Sequence, residues 1–290
     1  MKIIAFAFAL LLAASPVLQA QVTAEVVMEQ DFFLNGEEIP AEVRITNRSG
    51  QTLHLGADAD WLTFTIESRA GDVVAKNGDV PVEKPFDLPS GKTAIRRVEI
   101  SSYFALNRLG RYQLNAHVRI KDWDAAVTAK PKAFEIINAA KIWSQDFGMP
   151  QRTGVTNQAP EVRRYTLEQA NYLRGKLRLY LRVTDPGESR VFKVLHLGPM
   201  VSISDPEHQV DRDNRLHVLY QYGARTYLYS VITPDGELVV RQTHEIAPNR
   251  PRLQPDETGG FMVAGGARRI ASSDLPPPVT SETNALSEEP

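Results

Sequence analysis

Residues 110–120 read Gly110-Arg111-Tyr112-Gln113-Leu114-Asn115-Ala116-His117-Val118-Arg119-Ile120. Tyr112, Leu114, Ala116, Val118 and Ile120 recur at every second position and share one face of an extended chain, while Arg111, Gln113, Asn115, His117 and Arg119 share the other. A helix would scatter those five apolar side chains around its circumference, so the stretch predicts a half-buried antiparallel strand. The same rhythm runs toward the N-terminus. Leu62, Phe64 and Ile66 oppose Thr63 and Thr65, and Ile39, Ala41, Val43 and Ile45 alternate, with further strands expected over 22–28, 52–55 and 93–100. Asn47-Arg48-Ser49-Gly50, a Gly71 turn and Pro89-Ser90-Gly91 punctuate them, and Pro81, Pro85 and Pro89 mark an extended loop too proline-dense for a central strand. Short strands at this spacing predict a β-sandwich over residues 21–122.

The stretch Leu88-Pro89-Ser90-Gly91, the strand after it, and Leu109-Gly110-Arg111-Tyr112-Gln113-Leu114-Asn115-Ala116-His117-Val118 resemble the last two strands of bacterial immunoglobulin-like or fibronectin-III-like sandwich domains. The resemblance implies a sandwich fold, with Tyr112 similar to the tyrosine of a corner motif. It covers about 30 residues closely and implies no functional residue, because sandwiches carry many functions. The Cys and Trp pattern of antibody domains is absent.

Residues 123–161 change in composition and are expected to be a connector, with Trp123, Trp143 and Phe147 packed between two domains. The second domain, 162–270, opens with an expected short helix: Thr166 and Gln169 have capping-box spacing, and Gly175 stands where a helix would stop. Strands follow over 176–184, 190–197, 215–221, 225–232 and 237–241, separated by turns such as Asp185-Pro186-Gly187 and Pro234-Asp235-Gly236. The run 211–236 resembles a β-propeller blade, but the region is too short for four blades of about 40 to 45 residues. A compact, mostly antiparallel second β-domain with a blade-like sheet as its core is the reading preferred. The fold class is therefore mainly β, an immunoglobulin-like sandwich plus a second antiparallel domain with one short helix.

The two ends differ in kind from the body. Lys2 precedes twelve uninterrupted apolar residues, 3–14, and then Ser15-Pro16, which reads as a secretory signal peptide over 1–20, cleaved after Ala20 or, since Leu18 is larger than the small residue such a site prefers, within Ala14 to Ser15. Twelve residues of helix reach about 18 Å, short of a hydrocarbon core of about 30 Å, so no stable membrane span is expected once it is removed. Residues 271–290 hold four acidic and no basic residues and three consecutive prolines, which reads as a disordered acidic tail. The chain has 290 residues, 33 Lys and Arg against 35 Asp and Glu, and no cysteine. Disulfides, thiolate metal sites and cysteine nucleophiles are excluded, and near-neutral charge argues against nucleic acid as a partner. Export without disulfides points to a bacterial periplasm or exterior.

Alternation along β-forming residues 176–182 puts Lys176, Arg178, Tyr180 and Arg182 on one face, where three cations could grip the anionic groups of an extended polymer. The bland alternative is a solvated face, or one neutralised by acidic residues on a neighbouring strand. Seven of the nine tyrosines lie after residue 160, and Tyr227 and Tyr229 share a face, where exposed rings could stack on sugars or, as ordinary strand residues, pack in a core. Asp205, Glu207, His208, Asp211 and Asp213 cluster, but their spacing departs from a calcium loop, so no metal is assigned. Neither Gly-x-Ser-x-Gly, His-Glu-x-x-His nor a phosphate-binding glycine loop occurs, and no cofactor is expected. His117 and His217 sit inside alternating strands, where a solvated or hydrogen-bonded side chain is the ordinary reading.

These observations favour an exported, noncatalytic binding or assembly module whose partner is a protein or an anionic polysaccharide. Two alternatives stand beside it. One is a polysaccharide-active enzyme or carbohydrate-binding accessory that uses Tyr227, Tyr229 and the basic strand face. The other is a secreted protease inhibitor that presents the loop at 80–89.

Overall fold

A computed structural model describes residues 21–149, 161–173, 175–201 and 204–276. The expected signal peptide lies outside the described residues. The chain divides into two units, Met1–Asn138 and Ala139–Pro290.

The first unit holds β1 (Val22–Val27), β2 (Phe32–Leu34), β3 (Pro40–Asn47), β4 (Leu53–Leu55), β5 (Leu62–Ser68), β6 (Phe86–Leu88), β7 (Thr93–Glu99), β8 (Gly110–Ile120), β9 (Ala125–Thr128) and β10 (Lys132–Ile137). One sheet runs β1-β3-β7 and another β2-β10-β8-β5, with β9 beside β8 and β4 paired to β6. All pairings are antiparallel except β2 with β10. The alternation of 110–120 holds residue by residue: Tyr112, Leu114, Ala116, Val118 and Ile120 are buried and their neighbours are not. They join Val26, Ala41, Val43 and Ile45 of the first sheet and Leu62, Phe64 and Ile66 of the second in one core. Each such aliphatic contributes about 1.5 to 3 kcal/mol by leaving water, which is how a chain without disulfides holds this layer together.

The second unit holds β11 (Ala140–Gly148), β12 (Val162–Leu173), β13 (Lys176–Thr184), β14 (Val191–Met200), β15 (Glu207–Val210), β16 (Leu216–Gln221), β17 (Thr226–Ile232), β18 (Leu238–Glu245), β19 (Arg252–Pro255), β20 (Phe261–Ala264) and β21 (Ala267–Arg269). A sheet of order β11-β12-β13-β14 packs on one of order β15-β16-β17-β18-β21, with Leu167, Leu179, Leu181 and Val183 against Leu216, Val218, Leu228 and Ile232. The other face of the second sheet is covered as well. Leu219, Tyr227, Tyr229 and Val231 gather under Leu253 and Val263 of the β19–β20 hairpin. Burial on both faces is why β16 and β17 are apolar almost throughout. The blade-like meander is thus one layer of two, not a lone core sheet.

Several expectations are corrected. The short helix expected from Thr166 is strand β12: Tyr165 and Leu167 alternate into the core, and pairing to β11 and β13 on both sides outweighs a chance capping spacing. The stretch taken as a connector supplies β9, β10 and β11. Trp123 packs on the first core, while Trp143 and Phe147 pack on the second, so each serves its own unit. The proline-dense loop contributes β6 and is tied down by Trp61 Nε1, which donates to Val82 O at 3.0 Å, and by Phe86, edge-on to Trp61 and 3.8 Å under the Arg96 guanidinium. The part of the expected tail that is described is also ordered. Arg241 and Leu275 exchange backbone hydrogen bonds, and buried Asp274 accepts from Thr243 N at 3.1 Å and Ala271 N at 3.0 Å and pairs with Arg268 at 2.8 Å. Asp274→Ala is expected to cost about 2 kcal/mol and to expose the Thr243 amide, read by hydrogen exchange; unchanged protection there would mean the strap is ornamental.

Among the described residues no helix is long and apolar enough to cross a membrane.

Candidate functional site

The basic face of β13 is mostly spent on its own neighbours. Lys176 is exposed, the Arg178 guanidinium lies 4.3 Å over the Tyr172 ring, and Tyr180 is fully buried. Arg182 Nε donates to Glu168 Oε2 at 3.0 Å, with both side chains less than one-fifth exposed. Register explains the pairing: Arg182 sits opposite Thr166, one same-face step from Glu168. A polymer approaching this face meets a cation already neutralised.

Tyr227 and Tyr229 are buried as well. Tyr227 donates to Gln221 Oε1 at 3.1 Å, and Tyr229 donates to Phe261 O at 3.0 Å. Neither ring is open for stacking on a sugar, because the β19–β20 hairpin lies over the face they share. The periodicity put them on one face correctly, but a hairpin arriving from thirty residues away decides whether that face is wet.

Asp211, His217 and Tyr229 form a buried line. Asp211 Oδ2 lies 3.0 Å from His217 Nε2, and His217 Nδ1 lies 2.7 Å from the Tyr229 hydroxyl. Asp211 also accepts from the backbone N–H of Asp213 and Arg215 and from Arg215 Nε. Burial alone would raise its carboxyl; the bonds from His217 and Arg215 nonetheless hold it below the usual carboxylate range. Burial, with the charges of Asp211 and Asp256, pushes Tyr229 up to about 12. An acid–imidazole–hydroxyl row can activate a nucleophile when its last atom reaches substrate. Here the hydroxyl ends on a main-chain carbonyl of β20, so the row fastens β16 and β17 to the hairpin. The remaining acidic residues of the cluster disperse: Glu207 pairs with Arg252 at 2.8 Å and Asp213 with Arg215 at 2.9 Å, while His208 packs against the Trp143 ring at 4.3 Å.

One open concave surface lies in the first unit. The turn after β5, residues 68–75, and the approach to β8, residues 105–112, wall a groove of about 800 Å³. Its walls are braced. The Tyr112 hydroxyl donates to Arg108 O at 2.7 Å, four residues upstream, and Arg69 N donates to Arg111 O at 2.9 Å. Val74 N bonds Ile66 O and Ala105 N bonds Ala75 O. On these fixed walls stand Val73, 70% exposed, and Leu109, 59% exposed. Arg111 is matched by Glu135 at 2.9 Å, whereas the exposed side chains of Arg69 and Arg108 meet no carboxylate among the described residues. Apolar side chains held in water by a braced scaffold, beside arginines, can hold a ligand by contact and charge. Strand alternation does not mark this surface. Its signal was present only as Leu109 preceding the strand's Gly-x-Tyr, a leucine outside the alternation. Tyr112→Phe is expected to cost about 1 kcal/mol and to raise exchange of the 106–109 amides selectively; uniform exchange would deny the hydroxyl its bracing role.

No family model matches this chain, and no curated protein matches it. Among solved structures it is similar to the crystal structure of Spo0M, sporulation control protein, from Bacillus subtilis, at a TM-score of 0.30 and 7% identity over 63% of this chain and 91% of that one. A likeness of that size carries no inference about activity.

Proposed function

We propose that the chain is an exported, noncatalytic binding or assembly module, and that its first unit is an immunoglobulin-like sandwich presenting the groove between residues 68–75 and 105–112. One observation carries the reading: Leu109 and Arg108 stand outward on a hydroxyl-braced corner, where a part-buried hydrogen bond from Tyr112 fixes the backbone beneath two exposed side chains. The immunoglobulin-like assignment is supported by the order β1-β3-β7 against β10-β8-β5, which matches the A-B-E and G-F-C strands of such domains. It is supported further by the tyrosine near the start of the sixth strand of that pattern, bonded to the backbone upstream. Export rests on residues 1–20 as read from the sequence.

Two measurements test this. Mass spectrometry of the protein from fractionated cells should find a mature N-terminus at Gln21 in the periplasm or medium; full-length chain confined to the cytosol would defeat the export reading. A photo-crosslinking residue placed at Leu109 in the producing cell should give a discrete adduct that the same residue at exposed Lys92 does not. Equal or absent labelling at the two positions removes the groove as a binding surface.

A further inference from the structure

We infer that the groove docks an acidic segment of a partner protein, with carboxylates on Arg69 and Arg108 and an aliphatic side chain against Leu109 and Val73. The inference rests on the binding-module reading and names the class of its ligand. Charge comes first. Arg111 and Glu135 cancel across 2.9 Å, which leaves two arginines against Asp72 as the charges lining the groove. Guanidinium groups take carboxylates bidentately, and recognition of acidic motifs by arginine clusters is a recurring mode of peptide binding.

The apolar neighbours then select among anions. A uronate or sulfate polymer offers charge, hydroxyls and the C–H faces of its rings but no projecting alkyl side chain, so it would cover Leu109 and Val73 less completely. A peptide can satisfy both, with an acidic residue toward each arginine and a leucine or valine between them. The open shape agrees with an extended segment and not with a small anion, which needs donors converging on one point. Bracing by the Tyr112 hydroxyl and by Arg69 N on Arg111 O means that little of the wall must be ordered on binding.

The experiment uses the mature full chain on immobilised octapeptides that carry two glutamates around one leucine, beside the same peptides with lysine for glutamate. Phosphatidylglycerol vesicles, a heparin column and inorganic phosphate are run in parallel. Retention is expected on the acidic peptides alone and should weaken by about tenfold or more in the Arg69→Glu, Arg108→Glu double variant. Leu109→Ser should weaken it separately, and NaCl raised to about 0.5 M should do the same through screening. Calorimetry confirms that the variants stay folded, and Arg69→Gln with Arg108→Gln replaces the reversal if it does not. Equal retention of lysine peptides, no loss in the double variant, no retention on acidic peptides, or stronger retention on vesicles, heparin or phosphate each overturns the proposal. An adduct at position 109 together with a failed peptide array leaves the module reading intact and removes only the acidic segment, so the two failures are distinguishable.

Discussion

Asp211→Ala is expected to remove about 3 to 5 kcal/mol from the second unit. The carboxylate has no exposed surface and is bonded to Asp213 N, Arg215 N, Arg215 Nε and His217 Nε2, so its removal strands several donors at once. Native-state hydrogen exchange of the β16 and β17 amides reads the second unit without mixing in the first. A loss below about 1 kcal/mol would mean that His217 and Tyr229 find other partners easily. The pH dependence follows from the same bonds. The Asp211 carboxyl titrates lower folded than unfolded, so its contribution is fully present above the unfolded pKa of about 3.9 and is lost as pH falls through the lower folded value. Loss of stability should begin as pH falls below about 6.5, because burial holds His244 below the usual histidine range and takes His196 down to about 4; the share that Asp211 supplies is lost only below about pH 4, and Asp211→Ala should flatten that last part of the acid limb. Asp274, also held low against its burial by Ala271 N and Arg268, leaves a residual slope in the variant.

The second large effect is expected at Gly56→Ala. Gly56 has a φ of 84°, and a Cβ there would lie 2.7 Å from the Lys84 carbonyl carbon and closer still to its oxygen. That backbone cannot withdraw cheaply, because Lys84 N is bonded to Gly56 O at 3.1 Å. Gly50 is the internal control: its φ is 83°, yet a Cβ would meet nothing within 4 Å. Gly50→Ala should thus cost only the left-handed strain, about 1 kcal/mol, whereas Gly56→Ala adds a displaced loop and should cost about 3 kcal/mol or more. Thermal unfolding of both variants side by side decides it. Equal shifts would show that the 81–89 loop yields freely, contrary to its anchoring by Trp61.

What could be read before any coordinates was whatever depends on neighbours two residues apart. The strands at 93–99, 110–120, 176–184 and 226–232 lie where alternation and turn residues put them. The errors share one cause. Thr166 begins a convincing helix signature, yet β11 and β13 flank it; residues 125–148 look like linker, yet each part completes a sheet. Local composition contains no record of a partner strand forty residues away.

The candidate sites divide on the same line. Lys176, Arg178, Tyr180 and Arg182 do fall on one strand face, but Glu168 on the next strand sets the charge that Arg182 presents. Tyr227 and Tyr229 do share a face, and the β19–β20 hairpin encloses it. The sequence by itself determined that the chain is mainly β, where its clearest strands run and which side chains share a face, because a twofold repeat is a property of the covalent chain. Only the tertiary structure decided which faces are dry, which charges are cancelled and that Arg69 and Arg108 share one groove. Burial and electrostatic pairing depend on distances in space, and residues thirty-nine positions apart meet only after the chain has folded.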